Sequence, residues 1–360
     1  MVDHSSPPRP PLSTASLIAR LAGIGAVVAV VAGAFAYVNG TLDPQRLRPK
    51  TLVNALETNN GVHPGFRRNH AKGVCVAGYF QSSTEARAYS SAQVFSEAKT
   101  PIIGRFALPS GNPYAPDSSV PIRSFAVQFS QANGQQWRTG MNSMPVFPVG
   151  TPEAFYQLLK AGAPDPATGK PNPSSMPAFF AAHPETAPFL AWVKTAKPSA
   201  SYATETYNGI NAFYLVAADG TRQAVRWEVV PQSQDAAGDT APAGSDFLEQ
   251  DLVRRLAAGP LRWQLNMTLA NPGDPLDDAS KTWSGTHKVL NAGTLVLQSS
   301  QPQADGDCRD INFDPLILPS GIQASNDPLL AARSAAYASS YLRRAGEVSP
   351  LHSAPQESKP

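Results

Sequence analysis

The chain has 360 residues, of which 42% are hydrophobic, and this is enough apolar material for a sizeable core. Its 29 basic and 27 acidic residues leave a net charge of +2, and no cluster of lysine and arginine is interleaved with aromatic residues, which excludes a nucleic-acid-binding protein. The two cysteines, Cys75 and Cys308, form no CxxC motif or Cys/His cluster, so zinc and iron–sulfur sites have no ligands. They are either two free thiols or one disulfide.

The N-terminal part of the chain contains a hydrophobic segment. Residues 1–16 are rich in proline and serine, and we expect them to be disordered. Residues 21–38 carry no charge, and their length is close to the roughly 20 residues that cross a bilayer. We therefore assign 17–39 as a transmembrane helix or signal anchor.

The flanks of this segment predict its orientation. Arg9 and Arg20 precede it and favour a cytoplasmic N-terminus, although basic residues follow it as well. We expect a single-pass protein of a bacterial-type inner membrane with a periplasmic catalytic domain. The alternative is a cleaved signal peptide, because Ala34-Phe35-Ala36 has the small-x-small pattern of a cleavage site, and the product is then a secreted periplasmic protein.

Residues 45–345 are expected to form one folded domain, followed by a disordered polar tail at 346–360. The 35 prolines and 26 glycines favour a β or α+β fold rich in turns. The segments predicted to be strands are 74–80, 120–129 and 209–229, the last with a hairpin turn at Asp219-Gly220. The segments predicted to be helices are 151–161, 245–258 and 327–344. The segments predicted to be loops are 164–173 and 232–244.

The last predicted helix carries a set of side chains that could bind a metal and stabilise an anionic ligand. Arg333, Tyr337, Tyr341 and Arg344 lie at i, i+4, i+8 and i+11, which places them on one face. A phenol, with an ordinary pKa of about 10, becomes an anionic ligand only when a cation or metal favours the phenolate, and Arg333 lies one turn from Tyr337. An ordinary amphipathic helix with tyrosines against the core is the alternative.

Two further residues suggest proton transfer and hydrogen bonding. His70 lies between Arg67 and Lys72, just before the first predicted strand, and a neutral imidazole can take a proton from one atom and return it to another. Asn142 can donate a hydrogen bond to a bound oxygen. Each residue alone is more often explained by a purely structural role.

Taken together, these segments resemble the haem-binding core of the catalase family. The early part of the resemblance is carried by Arg67-x-x-His70-Ala71-Lys72-Gly73 with Gly78-Tyr79-Phe80, by Arg105-Phe106, by Phe125-Ala126-Val127-Gln128-Phe129, and by Asn142 with Pro145-Val146-Phe147 and Phe155. The late part is carried by Phe313-Asp314-Pro315, by Gly321-Ile322-Gln323-Ala324-Ser325, and by Arg333, Tyr337 and Arg344 in the spacing Arg-x-x-x-Tyr with Arg seven residues later. The motifs follow the family's order from Arg67 to Arg344.

The resemblance implies an α+β fold with an antiparallel β-barrel core and surrounding helices, and haem b as the cofactor. It implies that Tyr337 is the iron ligand on the proximal side. His70 is then the distal acid and base, with Asn142 as its hydrogen-bonding partner. The residues implied to contact the cofactor are Arg67, Arg105 and Arg344 at the propionates, Arg333 beside the ligand, and Phe147 and Phe155 against the porphyrin.

The chain also departs from the family's pattern. The family has a serine that orients the distal imidazole where this chain has Ala107, and an apolar residue where it has Asn69. Only 23 residues follow Tyr337, so we expect an oligomer no larger than a loose dimer and a more open pocket.

We therefore expect a haem peroxidase that reduces organic peroxides and hydrogen peroxide with a small organic electron donor. The alternatives are a true catalase, a non-catalytic haem-binding membrane protein, and an enzyme that processes fatty-acid hydroperoxides.

Overall fold

A computed structural model describes residues 13–38, 47–197, 199–232 and 244–348. The chain divides into two compact units, 1–48 and 49–360, and each is described by itself. The predicted loop 232–244 lies outside the described residues except at its two ends, and so does most of the predicted tail 346–360.

The first unit contains the helix α1, Thr14–Val38. Its apolar side chains are exposed along its whole length, and it is long and apolar enough to cross a membrane, a property that signal sequences share. The helix begins inside the segment 1–16 that was predicted to be disordered, because the Ser13 hydroxyl accepts a hydrogen bond from the Ser16 backbone N–H and caps the first turn. Residues 1–12 lie outside the described residues.

The second unit combines ten strands with six α-helices among the described residues. The strands are β1 Gly73–Ser82, β2 Thr100–Ala107, β3 Ser124–Ser130, β4 Gln136–Asn142, β5 Tyr207–Asn208, β6 Phe213–Val216, β7 Arg222–Pro231, β8 Leu261–Leu269, β9 Val289–Pro302 and β10 Ile322–Ala324. The helices are α2 Pro49–Asn60, α3 Pro152–Ala161, α4 Ser175–Ala182, α5 Ala187–Thr195, α6 Phe247–Ala258 and α7 Pro328–Val348. Short 3₁₀ turns lie at Glu85–Ala88, Gln93–Phe95 and Pro184–Thr186.

The strands form a closed antiparallel barrel. Their order is β10-β6-β7-β5-β4-β3-β2-β1-β9-β8, and a further pairing of β7 with β8 closes eight of them into a ring, leaving β6 and β10 attached outside it. Closure removes the unpaired edges that an open sheet would present. The predicted fold class, an antiparallel barrel with surrounding helices, is confirmed.

Alternation along the strands separates the inside of the barrel from its outside. In β8 the odd positions, including Trp263, are buried, whereas the even positions keep exposed surface. Aromatic rings fill the interior, and Phe106 stacks on Phe125 with ring centroids 4.3 Å apart. Burying each such side chain contributes roughly 1.5–3 kcal/mol relative to exposure. The opposite face of β2, β3 and β4 carries Arg105, Ser124 and Asn142, which belong to the candidate site.

The predicted elements agree with the structure in type and differ at their ends. The hairpin turn at Asp219-Gly220 is confirmed between β6 and β7. The strand predicted at 120–129 begins four residues later, because Pro121 has no backbone N–H to give to a sheet. Helix α7 extends into the segment predicted to be a disordered tail, because Glu347 binds Arg68 and the Gly65 backbone N–H.

Candidate active site

His70 lies in the segment that connects α2 to β1, and its backbone has an unusual conformation. Its φ of 56° is in the left-handed region, which costs of order 1–3 kcal/mol for a residue with a side chain. The Asn69 Oδ1 accepts a hydrogen bond of 2.9 Å from the His70 backbone N–H and stabilises this geometry. The carboxamide oxygen of Asn69, which stands where the family has an apolar residue, is therefore used by the backbone.

The segment around His70 is fastened to the end of β2. The Ala71 N–H donates to the Ser110 carbonyl at 2.7 Å, and the Leu108 N–H donates to the Lys72 carbonyl at 3.2 Å. Lys72 Nζ contacts the carboxylate of Asp117 at 2.7 Å. These contacts hold His70 beside the strand that carries Ala107.

One ring nitrogen of His70, Nδ1, is buried and has no hydrogen-bond partner among the described residues. Ala107, which pairs with Gly73 and is itself buried, offers a methyl group where a serine would offer a hydroxyl. The hydrogen bond that the sequence predicted to be missing is therefore absent among the residues described.

The environment of His70 keeps its ring neutral. Burial, and after it the positive charges of Arg105, Arg333 and Arg67, together lower the pKa of His70 to about 3. The residue as a whole is nevertheless only partly buried, although its Nδ1 is inaccessible. This is the protonation state that a general base requires at neutral pH.

Three arginines converge near His70 without a carboxylate partner among the described residues. Arg67 Nη2 donates to the carbonyl oxygens of Cys308, Arg309 and Ile311 at 2.9 to 3.0 Å. Arg105 Nε donates to Gln303 Oε1 at 2.8 Å. Arg344, only 5% exposed, donates to the same Arg309 carbonyl.

The electrostatics of this cluster reflect unbalanced positive charge. Burial lowers the pKa of Arg67, and the neighbouring cations Arg105 and Arg344 lower it further, while Tyr337 acts in the opposite direction. Burial likewise lowers the pKa of Arg105 to about 10. A buried group of like charges is costly unless an anion joins it. The cluster is therefore suited to a ligand with more than one negative charge.

A disulfide holds the segment that accepts these hydrogen bonds. Cys75 on β1 and Cys308 are bonded across 233 residues of sequence, and both are buried. Their sulfur atoms pack in one apolar cluster with Phe313 and the partly buried Tyr337. Of the two states that the sequence left open, the structure contains the disulfide.

Helix α7 places Tyr337 opposite the outer face of β4. Both Tyr337 Oη and Arg333 Nη2 lie within 3.4 Å of the point that a Cβ on Gly140 would occupy, so the absence of a side chain at Gly140 keeps this space clear. Tyr337 Oη has no hydrogen-bond partner within the part of the chain that the structure describes. Arg333 donates to Asn211 Oδ1, and Asn211 Nδ2 donates to Asp327 Oδ2 at 2.7 Å.

The other predicted residues lie on the barrel wall and beside it. Asn142, at the end of β4, accepts a hydrogen bond of 2.6 Å from the Ser124 hydroxyl at its Oδ1. Phe147 packs against Phe155 of α3 with centroids 5.4 Å apart, and it also contacts an apolar cluster that contains Leu329 of α7. Contact of either ring with a porphyrin stays a prediction.

These residues fit a haem. Its two propionates would balance the unpaired arginines, and the unpartnered phenol of Tyr337 is the kind of group that binds ferric iron. The imidazole of His70, whose pKa is lowered by burial and by Arg105 and Arg67 of this cluster, belongs to the same site. An antiparallel barrel with such a site on its outer face defines a protein of the catalase type.

Comparisons with known proteins agree with this class. The family profile described as Catalase matches residues 43–350, and the chain belongs to the catalase family. It is 39% identical over 301 residues to a catalase-related peroxidase of Synechococcus elongatus, covering 82% of this chain and 88% of the relative. It is 31% identical over 304 residues to a catalase-related peroxidase of Mycolicibacterium paratuberculosis, covering 83% of this chain and 96% of the relative.

Solved structures support the fold. A bacterial catalase superposes with a TM-score of 0.69 at 21% identity, covering 84% of this chain and 62% of the solved chain. A fungal catalase gives the same TM-score at 20% identity, covering 82% of this chain and 62% of that one. The chain therefore spans less than two thirds of these longer structures.

Several polar residues of the site were not predicted from the sequence. They are Ser124, Asn211, Gln303 and Asp327. Asp327 had a local signal, because it precedes Pro328 at the start of a helix and accepts a hydrogen bond of 2.9 Å from the Leu329 N–H as a cap. The others depend on partners more than ten residues away and leave no local pattern.

Proposed function

We propose that the chain reduces organic peroxides and hydrogen peroxide with a small organic electron donor, as a haem peroxidase of the catalase family. The observation that carries this proposal is the neutral, buried imidazole of His70 in one site with unpaired arginines and Tyr337. The similarity to two catalase-related peroxidases over more than four fifths of the chain supports it. Non-catalytic haem binding alone would not need a distal base of this kind.

We assign the cofactor as haem b and the roles of its neighbours from their chemistry. Tyr337 would ligate the iron through its phenolate oxygen, and Arg333 would favour the phenolate by its charge. Arg67, Arg105 and Arg344 would hold the propionates, while Phe147 and Phe155 would pack on the porphyrin. When bound, the haem supplies the electrons that peroxide cleavage requires.

His70 and Asn142 would manage the proton. His70 Nε2 takes the proton from one peroxide oxygen and returns it to the other, so that the leaving group departs as water or an alcohol. Asn142 Nδ2 donates a hydrogen bond to the bound peroxide. Because Nδ1 has no acceptor among the described residues, none of them fixes the tautomer in which Nδ1 carries the proton and Nε2 is free to accept one.

This unfixed tautomer favours the peroxidase over a true catalase. A catalase must use His70 efficiently for two successive peroxide molecules, and a loosely oriented ring loses rate at each step. A peroxidase uses an external donor for the second half of its cycle. Donor oxidation should therefore exceed oxygen release when both are measured with hydrogen peroxide in one preparation.

The test of this function is His70→Ala, with His183→Ala as the matched control. His183, at the end of α4, is bound to Glu185 and to Gln157, each at 2.8 Å. We expect His70→Ala to keep its haem and to lose roughly 10²- to 10⁴-fold in peroxide-dependent donor oxidation. An unchanged rate would refute the assigned mechanism, and dominant oxygen release in the unmodified protein would favour a catalase.

We further propose that the domain works outside the cytoplasm, attached to a bacterial-type inner membrane by α1. The disulfide between Cys75 and Cys308 supports this location, because disulfides persist in oxidising compartments. The N-terminal sequence of the mature protein would distinguish an anchor from a cleaved signal. The predicted loose dimer stays a prediction, which sedimentation of the purified protein tests.

A further inference from the structure

Three residues of the barrel wall form one row across neighbouring strands. Ala107 of β2 pairs directly with Ser124 of β3, and Ser124 pairs directly with Asn142 of β4. Residues directly opposite each other in an antiparallel sheet share a face. The chain neighbours of the row, which belong to the core inside the barrel, are Phe106, Phe125 and Met141. The row therefore faces away from the core, on the side that carries Arg105.

Ser124 supplies the only hydrogen bond to the carboxamide of Asn142 from the described residues. Its hydroxyl donates to Asn142 Oδ1 at 2.6 Å, and Ser124 is only 6% exposed. Asn208 also contacts this strand end, but its Nδ2 reaches the backbone carbonyls of Asn142 and Ser143. The orientation of the carboxamide thus depends on Ser124.

The hydrogen bond from Ser124 engages the oxygen end of the carboxamide. With Oδ1 occupied by Ser124, Nδ2 has no acceptor among the described residues and is not fully buried, so it is available as a donor. A rotation of the carboxamide by 180° would present an acceptor in its place. A bound peroxide oxygen, which is rich in electrons, requires the donor.

The same row explains the contrast between the two polar groups of the site. His70 Nδ1 lacks a partner and the row has no hydroxyl at Ala107, whereas the Asn142 carboxamide has a partner in the Ser124 hydroxyl of the adjacent strand. We propose that Ser124 is a positioning residue that fixes the carboxamide of Asn142 with its Nδ2 toward the peroxide. The barrel row therefore orients the hydrogen-bond donor, Asn142, through the Ser124 hydroxyl, but it offers no hydroxyl to the base, His70. This inference rests on the role proposed for Asn142.

The experiment compares Ser124→Ala, Asn142→Ala and the double variant. Ser130→Ala is the matched control, because Ser130 lies on the same strand and its hydroxyl accepts a long hydrogen bond of 3.3 Å from Gln128. Fluoride, a small anion that accepts hydrogen bonds, is the probe of the ferric protein, and its Kd is measured by spectral titration. The kcat/KM for hydrogen peroxide, the KM for the donor and the urea midpoint of unfolding are measured alongside.

If Ser124 positions Asn142, Ser124→Ala weakens fluoride binding and lowers kcat/KM for peroxide, each roughly 10-fold. The KM for the donor and the urea midpoint stay close to those of Ser130→Ala. In the Asn142→Ala background, removing the Ser124 hydroxyl has no further effect, since the group that it orients is already gone. Ser124→Thr, which keeps a hydroxyl, restores the fluoride affinity.

Other outcomes would overturn the inference. If Asn142→Ala weakens fluoride binding and Ser124→Ala does not, Asn142 acts without Ser124, and the proposed function survives. If the two single effects add in the double variant, Ser124 acts through another group. If Asn142→Ala itself changes neither the fluoride affinity nor kcat/KM, the role proposed for Asn142 fails and the positioning role fails with it.

Discussion

Arg68 and Glu347 form an ion pair that joins the segment before His70 to the last turn of helix α7. Arg68 Nη1 donates to Glu347 Oε2 at 2.9 Å, and Arg68 Nε donates to Glu57 Oε1 at 2.6 Å. Arg343 of α7 binds the other oxygen of Glu57 at 2.5 Å. The helix that carries Tyr337 is thus fastened to the segment that carries His70, so the network sets the separation of the two sides of the site.

This network predicts a dependence of stability on pH. The hydrogen bond from Arg68 lowers the pKa of Glu347, while partial burial acts against it. Because the folded pKa lies below the ordinary value of 4.5, the stabilisation is present above about pH 4.5 and is lost as the pH falls below it. Glu347→Gln should lower the free energy of unfolding at pH 7 by about 1 kcal/mol, a value reduced for the partial exposure of Glu347.

Urea unfolding at pH 7 and at pH 4 measures this effect. The difference between the unmodified protein and Glu347→Gln should shrink at pH 4, because the carboxyl group then begins to protonate and loses its charge. Glu153→Gln, at an exposed position in α3, is the control. A difference that stays constant between the two pH values would contradict the predicted titration.

The disulfide should stabilise both the fold and the binding of haem. Cys75 and Cys308 close a long loop, and removing such a link costs roughly 2–5 kcal/mol of folding free energy. Cys308 also supplies one of the carbonyl oxygens that orient Arg67, and Arg309 supplies the next. We expect the Cys75→Ser, Cys308→Ser double variant to unfold at lower urea and to transfer haem faster to apomyoglobin. Unchanged haem transfer would show that the disulfide does not support the arginine cluster.

The ligand assignment predicts that substituting Tyr337 changes the absorption spectrum, whereas substituting its neighbour Tyr341 does not. Tyr337→Phe removes the oxygen that would bind iron, so the absorption bands of tyrosinate-ligated ferric haem should disappear. Tyr341 lies one turn further on, is 36% exposed and packs against Arg344. Tyr341→Phe is therefore the matched control and should keep the spectrum. A spectrum that survives Tyr337→Phe would refute the assignment.

The sequence could predict the parts of the fold that depend on local periodicity. Alternation identifies β7, and the same pattern from Leu261 to Leu269 makes β8 equally predictable. The strands β5 and β10 have two and three residues, which is too short for any period to appear. The end of α7 depends on the contact of Glu347 with Arg68, residues that lie 279 positions apart. Local pattern cannot contain such a contact.

The candidate site likewise divides into residues that a local motif predicts and residues that depend on distant contacts. The resemblance predicted His70, Asn142 and Tyr337 as site residues because each stands in a recognisable motif, and it also predicted the consequence of Ala107 for the imidazole. The link from Ser124 to Asn142 depends instead on the register of β3 against β4, which fixes the residues opposite each other. A register is set by the whole sheet, so its consequences become visible only in the folded chain.

The neutral imidazole of His70 predicts the shape of the pH profile. An ordinary histidine base becomes protonated below about pH 6.5 and then loses activity. Burial and the nearby arginines lower the pKa of His70 to about 3, so the free enzyme keeps its base unprotonated through the acidic range. We expect kcat/KM for hydrogen peroxide, measured by stopped flow, to show no inflection between pH 5 and pH 8. Arg105→Gln removes one of these positive charges, so the pKa of His70 should rise. The inflection in kcat/KM should then move upward toward pH 5. An inflection near pH 6.5 in the unmodified protein would contradict the burial of the ring as the cause of its neutrality.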